Sequence, residues 1–126
     1  MKTGDILPEL EVAGISRTTL ALYAGASGDH NPMHIDLDVA RSAGMDDVFS
    51  HGMLNMAYLG RLLTNYVPQE DIRSYSVRFA SITPLHGKPT CTGTVTKVEG
   101  GLAHLDLTVA LADGTVTLRG DAVVAA

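Results

Sequence analysis

The feature that most restricts the fold of this sequence is a change of periodicity about halfway along it. The segment GMLNMAYLGRLLTNYV, residues 52–67, is apolar nearly all round and ends before Pro68, which predicts a long helix buried on all sides. From Arg73 onward, apolar and polar residues alternate with a period of two, which is typical of strands. The sequence therefore predicts an α+β fold in which a curved antiparallel sheet wraps around one central helix.

Turn signals set the order of the strands. Gly100-Gly101 and Asp113-Gly114 both tolerate positive φ, so they predict hairpins that join three strands into an antiparallel meander. The run SYSVRFASI is expected to supply a fourth strand. Because a curled sheet leaves an open edge, and such edges are commonly paired, a dimer that joins two sheets is expected, with the site near the interface.

The first half of the chain reads as shorter helices. Ser16 can cap a helix over RTTLALYAGA, which Gly28 ends and which Pro32 cannot continue. A second short helix is predicted over LDVARSA, capped by Asp36 and closed by Gly44.

Composition limits the class of protein. The 126 residues are expected to form one domain, residues 1–126, and the net charge of −5 argues against a nucleic-acid binder without excluding an anionic small molecule. Cys91 is the one cysteine, so no internal disulfide is expected. No signal-peptide core or membrane-length apolar run occurs, which predicts a cytoplasmic protein that does not enter a membrane.

The most informative segment for function is SGDHNPMHID, residues 27–36. Pro32 breaks helical geometry, so Asp29 and His34 are expected on an irregular loop where both can point at one water. A carboxylate and an imidazole placed in this way suit general acid–base catalysis. The alternative is that Asp29 caps a local turn and His34 is a surface or core residue.

A metal centre is a further alternative for this segment. His30 and His34 have i, i+4 spacing, but Pro32 prevents the helix that this pairing needs. His34 and Asp36 resemble part of an iron-binding triad, which would need His51, His86 or His104 as a third ligand. We predict no metal and no other cofactor.

The segment FSHGML, residues 49–54, precedes the long helix. Amides in the first turn of that helix lack partners and, with the helix dipole, can stabilise an oxygen that gains negative charge. Gly52 would let a ligand approach the backbone closely. The alternative is a plain N-cap by Ser50.

These segments together resemble a known family. YAGASGDHNPMHID is similar to the signature of MaoC-like, or (R)-specific enoyl-CoA hydratase (hydratase 2), proteins. The matching positions are Tyr23, Gly28, Asp29, Asn31, Pro32 and His34, followed by His51-Gly52-Met53 and Val77-Arg78-Phe79. The resemblance covers nearly the whole chain and implies a single hot-dog fold.

The resemblance also implies a reaction and a site. Asp29 and His34 would be the catalytic pair that adds water to a trans-2-enoyl thioester, giving an (R)-3-hydroxyacyl thioester, as a hydro-lyase of fatty acid metabolism. The Gly52 amide would bind the thioester carbonyl. The substrate-binding set would be Gly52, Asn31, Ser50 and His51, with Asn31 acting chiefly by holding the loop. His30 occupies the variable position of the motif, and no role is assigned to it.

The carrier and the partner stay open at this point. The chain is also similar to single hot-dog 3-hydroxyacyl-ACP dehydratase subunits of actinobacteria, so either coenzyme A or acyl carrier protein could carry the acyl group. A homodimer, or a heterodimer with a second hot-dog subunit, is expected. The alternative functions are a hot-dog thioesterase, which usually has its acid on the central helix, and a non-catalytic acyl-binding subunit. Residues 53–67 contain no Asp or Glu, which counts against the thioesterase.

Overall fold

The computed structural model describes residues Met1–Ala126, and its elements follow the predicted order. The helices are α1 (Arg17–Ser27), α2 (Leu37–Ser42) and α3 (Gly52–Tyr66), with 3₁₀ turns at Pro32–His34 and Gln69–Asp71. The strands are β1 (Leu10–Glu11), β2 (Ile72–Phe79), β3 (Thr90–Glu99), β4 (Leu102–Ala110) and β5 (Val116–Ala125). The predicted α+β class is confirmed.

The five strands form one antiparallel sheet in the order β1-β3-β4-β5-β2. The β3–β4 hairpin turns at Gly100 and Gly101, with φ of 61° and 76°, and the β4–β5 connection turns at Gly114, with φ of 90°. The predicted meander is therefore confirmed. The predicted fourth strand is β2, which pairs with β5 and leaves its other edge open.

The sheet wraps around α3, because this helix contacts β1 and β2 at the two edges as well as β3 and β4 between them. Its inner face supplies Leu59, Leu62 and Leu63 to the main core, where they pack with Leu105 and Leu107. The prediction that α3 is buried on all sides is wrong for the single chain. Its outer face is exposed at Ala57, Arg61 and Thr64, and Met53 is 53% exposed, because one sheet can cover only one side of a helix.

The caps of the shorter helices agree with the predictions. The Ser16 side chain accepts a hydrogen bond from the Thr19 amide at the start of α1, and Gly28 ends α1 with φ of 78°. The Asp36 carboxylate accepts from the amides of Asp38 and Val39 at the start of α2. Gly44 follows α2 with φ of 88°.

A second core holds these helices against the start of α3. It contains Ile15, Leu20, Ala40, Val48 and Leu54, so α1, α2 and the segment before α3 form one packed unit. The loops that carry residues 28–36 and 49–52 are therefore fixed relative to each other. None of the helices combines the length and the apolar character that a membrane span requires.

Candidate active site

The loop after α1 is built by local hydrogen bonds that direct the Asp29 carboxylate. Asp29 Oδ1 accepts from the Asn31 amide at 3.2 Å, and Asn31 Oδ1 accepts from the Met33 amide at 3.1 Å. Pro32 begins the 3₁₀ turn, where its missing N–H is not needed. Asp29 stays exposed, whereas Asn31 caps the turn and so holds the loop. Asp29 therefore caps a local turn and also keeps a solvent-accessible carboxylate.

His34 lies at the end of this turn and is only 8% exposed. Its Nδ1 lies 2.7 Å from the carbonyl oxygen of Phe49. A carbonyl oxygen only accepts, so Nδ1 carries the proton of the neutral ring and Nε2 keeps its lone pair. The ring is further held by an edge-on contact with Phe49, with centroids 4.9 Å apart. The His34 ring is thus held in one orientation, with Nε2 making no hydrogen bond within the protein.

His51 completes the cluster from the other loop. Its Nε2 donates to the backbone carbonyl of Asp29 at 3.1 Å, and its ring lies 4.1 Å from that of His34 at a tilt of 30°. Tyr23 contacts the same ring edge-on at 4.8 Å. Burial lowers the pKa of His51 below its ordinary 6.5, although the Asp29 carbonyl acts in the opposite direction. His51 is therefore a neutral, buried imidazole that supports the Asp29–His34 loop.

Side-chain nitrogen or oxygen atoms of Asp29, His34 and His51 all lie within 4.8 Å of one another. The expected Asp29–His34 pair is therefore together in space, with His51 as a third member. Each imidazole commits one nitrogen to a backbone carbonyl, which leaves His34 Nε2, His51 Nδ1 and the Asp29 carboxylate as the groups that could take up a proton or hold a metal ion.

The other candidate metal ligands lie elsewhere. Asp36 is used in capping α2, and His30 is exposed on the loop. His104 is on β4, where it pairs with Lys97 and Val123. His86 adopts a positive φ of 65° beyond β2, and its amide donates to Ile15. None of these four joins the cluster of Asp29, His34 and His51.

The start of α3 presents free amides beside this cluster. His51 is the N-cap and makes no side-chain capping bond, so the expected alternative of an N-cap by Ser50 is wrong. Ser50 instead directs its hydroxyl to the His51 carbonyl at 3.1 Å. The amides of Gly52 and Met53 donate to no acceptor within the protein. They are available to an oxygen of a bound ligand.

A cavity of about 250 Å³ opens at Gly52. Its walls include Phe49, Ser50, Asn55, Phe79 and Thr83. A Cβ on Gly52 would lie 2.9 Å from the Phe79 ring, so glycine lets the strand residue cover the helix start. A ligand in this cavity would have its polar group near the free Gly52 amide and its apolar part against the two phenylalanines.

Sequence reasoning missed Asn55, which is 1% exposed on the inner side of α3. Its side-chain Nδ2 donates to Ser50 Oγ at 3.3 Å and to Thr83 Oγ1 at 3.2 Å. The sequence did contain an indication, because an amide side chain on an otherwise apolar helix face needs hydrogen-bond partners when it is buried. The partners themselves could not be identified, because Thr83 is distant in the sequence.

Comparison with known proteins gives the class. Residues 7–99 match the MaoC like domain. The structure superposes on the (R)-hydratase from A. caviae with a TM-score of 0.89 at 23% identity, covering 99% of this chain and 96% of that one. It also superposes on a chain of the ChsH1-ChsH2 complex from Mycobacterium tuberculosis with a TM-score of 0.86 at 24% identity. This superposition covers 98% of this chain and 96% of that chain. These similarities confirm the hot-dog fold.

Three curated relatives are similar in sequence. The mitochondrial 3-hydroxyacyl-(acyl-carrier-protein) dehydratase of Arabidopsis thaliana is 36% identical over 81 residues, which are 64% of this chain and 48% of that protein. The 3-hydroxyacyl-thioester dehydratase X of Mycobacterium tuberculosis is 34% identical over 125 residues, which are 94% of this chain and 42% of that protein. The (R)-specific enoyl-CoA hydratase of Rhodospirillum rubrum is 29% identical over 114 residues, which are 87% of this chain and 78% of that protein.

The fold and the family match over residues 7–99 define a hot-dog domain of the hydratase and dehydratase type. The chain belongs to the MaoC-like domain family, as the resemblance implied. It spans about half the length of the first two relatives, 48% and 42%.

Proposed function

We propose that the protein catalyses the reversible hydration of trans-2-enoyl thioesters to (R)-3-hydroxyacyl thioesters. The observation that carries this proposal is that side-chain atoms of Asp29 and His34 lie within 4.8 Å of each other and of one in His51, and that His51 directly precedes the free Gly52 amide. The names of the relatives, which include both dehydratases and an (R)-specific enoyl-CoA hydratase, support the same reaction class.

The reaction assigns a task to each group. A water held between Asp29 and His34 Nε2 forms a bond from its oxygen to C3 of the substrate. The electrons of the C2–C3 double bond move toward the thioester carbonyl, whose oxygen gains negative charge and accepts from the Gly52 amide. One water proton passes through the Asp29–His34 pair to C2, and the other stays on the new hydroxyl. In reverse, the same groups remove water.

The remaining residues support binding. Ser50 lies in the wall of the cavity beside Gly52, and Asn31 holds the loop that carries Asp29. His51 supports that loop through the Asp29 carbonyl. The thioester would belong to coenzyme A or to acyl carrier protein, since relatives named for both are similar to this chain.

We further propose that the working unit is a dimer. The open edge of β2 extends over residues 72–79, and Phe79 at its end is 51% exposed beside Gly52. Met53, 53% exposed on the outer face of α3, lies next to the same site. A second copy, or a second hot-dog subunit, would pair this edge and cover this apolar surface. The similarity to a chain of the ChsH1-ChsH2 complex, which has two components, supports the second arrangement.

A hydration assay tests the proposal. The protein is mixed with crotonyl-CoA and with longer enoyl-CoAs, loss of the absorbance of the conjugated thioester is followed, and the product is analysed on a chiral column. We expect (R)-3-hydroxyacyl-CoA with no release of free thiol. Free thiol would instead indicate a thioesterase, and acyl-CoA binding without turnover would indicate a non-catalytic subunit.

A further inference from the structure

The peptide group that joins His51 to Gly52 is held from its carbonyl side. The His51 oxygen lies 3.1 Å from the Ser50 hydroxyl, 3.2 Å from the Leu54 amide and 3.4 Å from the side-chain amide of Asn55. The protein has no cis peptide bonds, so in this planar trans group the N–H of Gly52 points away from these donors. The direction of the Gly52 N–H is therefore set by the donors that bind the His51 carbonyl on the other side of the same peptide group.

Asn55 decides which way the Ser50 hydroxyl donates. Asn55 Nδ2 donates to Ser50 Oγ at 3.3 Å and also to Thr83 Oγ1 at 3.2 Å, which fixes the orientation of the amide. With a lone pair of Ser50 occupied in this way, its single proton is directed to the His51 carbonyl. Ser50 is 3% exposed and Asn55 is 1% exposed, so both side chains are almost wholly shielded from bulk water.

Packing alone does not explain an asparagine at this position. Its Oδ1 is buried without a hydrogen-bond partner, and such a group lowers stability. An apolar residue of similar size would fill the same space on α3 without that loss. The helix therefore carries a buried polar side chain, with one unpaired oxygen, at a position from which its Nδ2 reaches Ser50.

We infer that Ser50 and Asn55 are positioning residues for the oxyanion site, an inference that rests on the proposed hydration of enoyl thioesters. They fix the direction of the Gly52 N–H. Ser50, oriented by Asn55, donates to the His51 carbonyl and so polarises the peptide, and this makes the Gly52 N–H a stronger donor. The thioester oxygen carries most negative charge in the transition state, so the benefit appears in kcat rather than in KM.

Two variants test this inference, Asn55→Leu and Ser50→Ala. Deleting an oxyanion-hole donor outright costs about 10²–10³ in kcat, so weakening one should cost less, roughly 5- to 50-fold, with KM changed by no more than about twofold. Thr117→Val is the matched control for loss of a buried hydroxyl, since Thr117 bonds the carbonyl of Val109 in the sheet. It should keep its kcat even if its melting temperature falls.

A vibrational measurement separates positioning from a merely structural role. Asp29→Asn protein is loaded with an enoyl-CoA carrying ¹³C at the thioester carbonyl, and the carbonyl stretch is recorded by difference infrared spectroscopy. We expect the stretch below its value in water, and a return toward that value when Asn55→Leu or Ser50→Ala is added. If the carbonyl stretch does not move in either variant, the inference is wrong whatever happens to kcat.

Failure of the proposed function and failure of the inference about Ser50 and Asn55 would give different results. Wild-type protein that hydrates no enoyl thioester overturns the proposed function, and the inference with it. Wild-type turnover accompanied by Asn55→Leu and Ser50→Ala kcat values within about twofold of wild type overturns the inference alone.

Discussion

Each of the two neighbouring imidazoles has one ring nitrogen committed to a backbone carbonyl, and the nitrogen that is left over differs between the two rings. His34 donates from Nδ1 to Phe49, which leaves its Nε2 without a partner in the protein. His51 donates from Nε2 to Asp29, and its Nδ1 is buried without a partner. A proton added to His51 Nδ1 would find no acceptor in the protein, which agrees with the lowered pKa of this ring.

The lowered pKa of His51 has a consequence for stability. Its pKa in the folded protein lies below the unfolded value of about 6.5, so between these two values the unfolded chain binds the extra proton. The contribution of neutral His51 to stability should therefore be complete above about pH 6.5 and fall as the pH drops toward the folded pKa. Urea unfolding of wild type and His51→Gln over this range measures it.

We expect the difference in unfolding free energy between wild type and His51→Gln to shrink as the pH falls from neutrality through that window. A difference that stays constant down to the acid limit of the native state would show that His51 is not held neutral by burial.

The residue that caps helix α2, Asp36, resembles a metal ligand in the sequence but has a structural role. Asp36, two residues after His34, lies where a metal triad would place a carboxylate, but its side chain caps α2 through the amides of Asp38 and Val39. Asp36→Ala should therefore lower the free energy of unfolding by about 0.5–2 kcal/mol and leave kcat unchanged.

Asp36→Asn is the matched control, because asparagine caps almost as well as aspartate, and it should restore most of the stability. Loss of turnover in a stably folded Asp36→Asn protein would mean that the carboxylate itself serves the reaction.

The elements differ in how far they could be predicted from the sequence. The β3–β4 and β4–β5 turns were predictable because glycines with positive φ occur where the alternation stops. Strand β1 was not, since Leu10–Glu11 is too short to show a period of two. The exposed face of α3 was hidden for a different reason. A high content of apolar residues predicts that a helix is buried, but it does not show which face stays exposed in the single chain.

The candidate site, like the fold, could be predicted only in part from the sequence. Asp29 and His34 were predictable as a pair because Pro32 and the local turn keep them on one short loop. Their contact with His51 depends on how the segment before α3 folds against that loop, and the expectation for His51 was substrate binding. No local pattern indicates that two imidazoles will stack.

For the whole molecule, the open β2 edge and the exposed Phe79 and Met53 side chains lead to a prediction about assembly. Light scattering at micromolar concentration should give the mass of two chains. Because Phe79 also lines the cavity, Phe79→Asp should weaken association and turnover together, whereas Leu22→Asp, which alters a 69% exposed residue on α1, should affect neither. A wild-type monomer with full hydratase activity would contradict the dimer.

The central claim is that Asp29 and His34 act as an acid–base pair on one water. Asp29→Asn and His34→Gln should each lower kcat by about 10²–10⁴-fold. Because both side chains act on the same water, the double variant should be little slower than the slower single variant. His30→Ala, an exposed change on the same loop, is the matched control and should keep most of the activity.

The most direct measurement is the kcat of folded Asp29→Asn with an enoyl-CoA that wild type hydrates, with its melting temperature recorded in parallel. Asp29 Oδ1 also accepts from the Asn31 amide, and asparagine can keep that bond, so we expect a near-native melting temperature and a kcat reduced by at least about 10²-fold. A lowered melting temperature with a kcat near that of wild type would show that Asp29 only caps its turn, and would contradict the account.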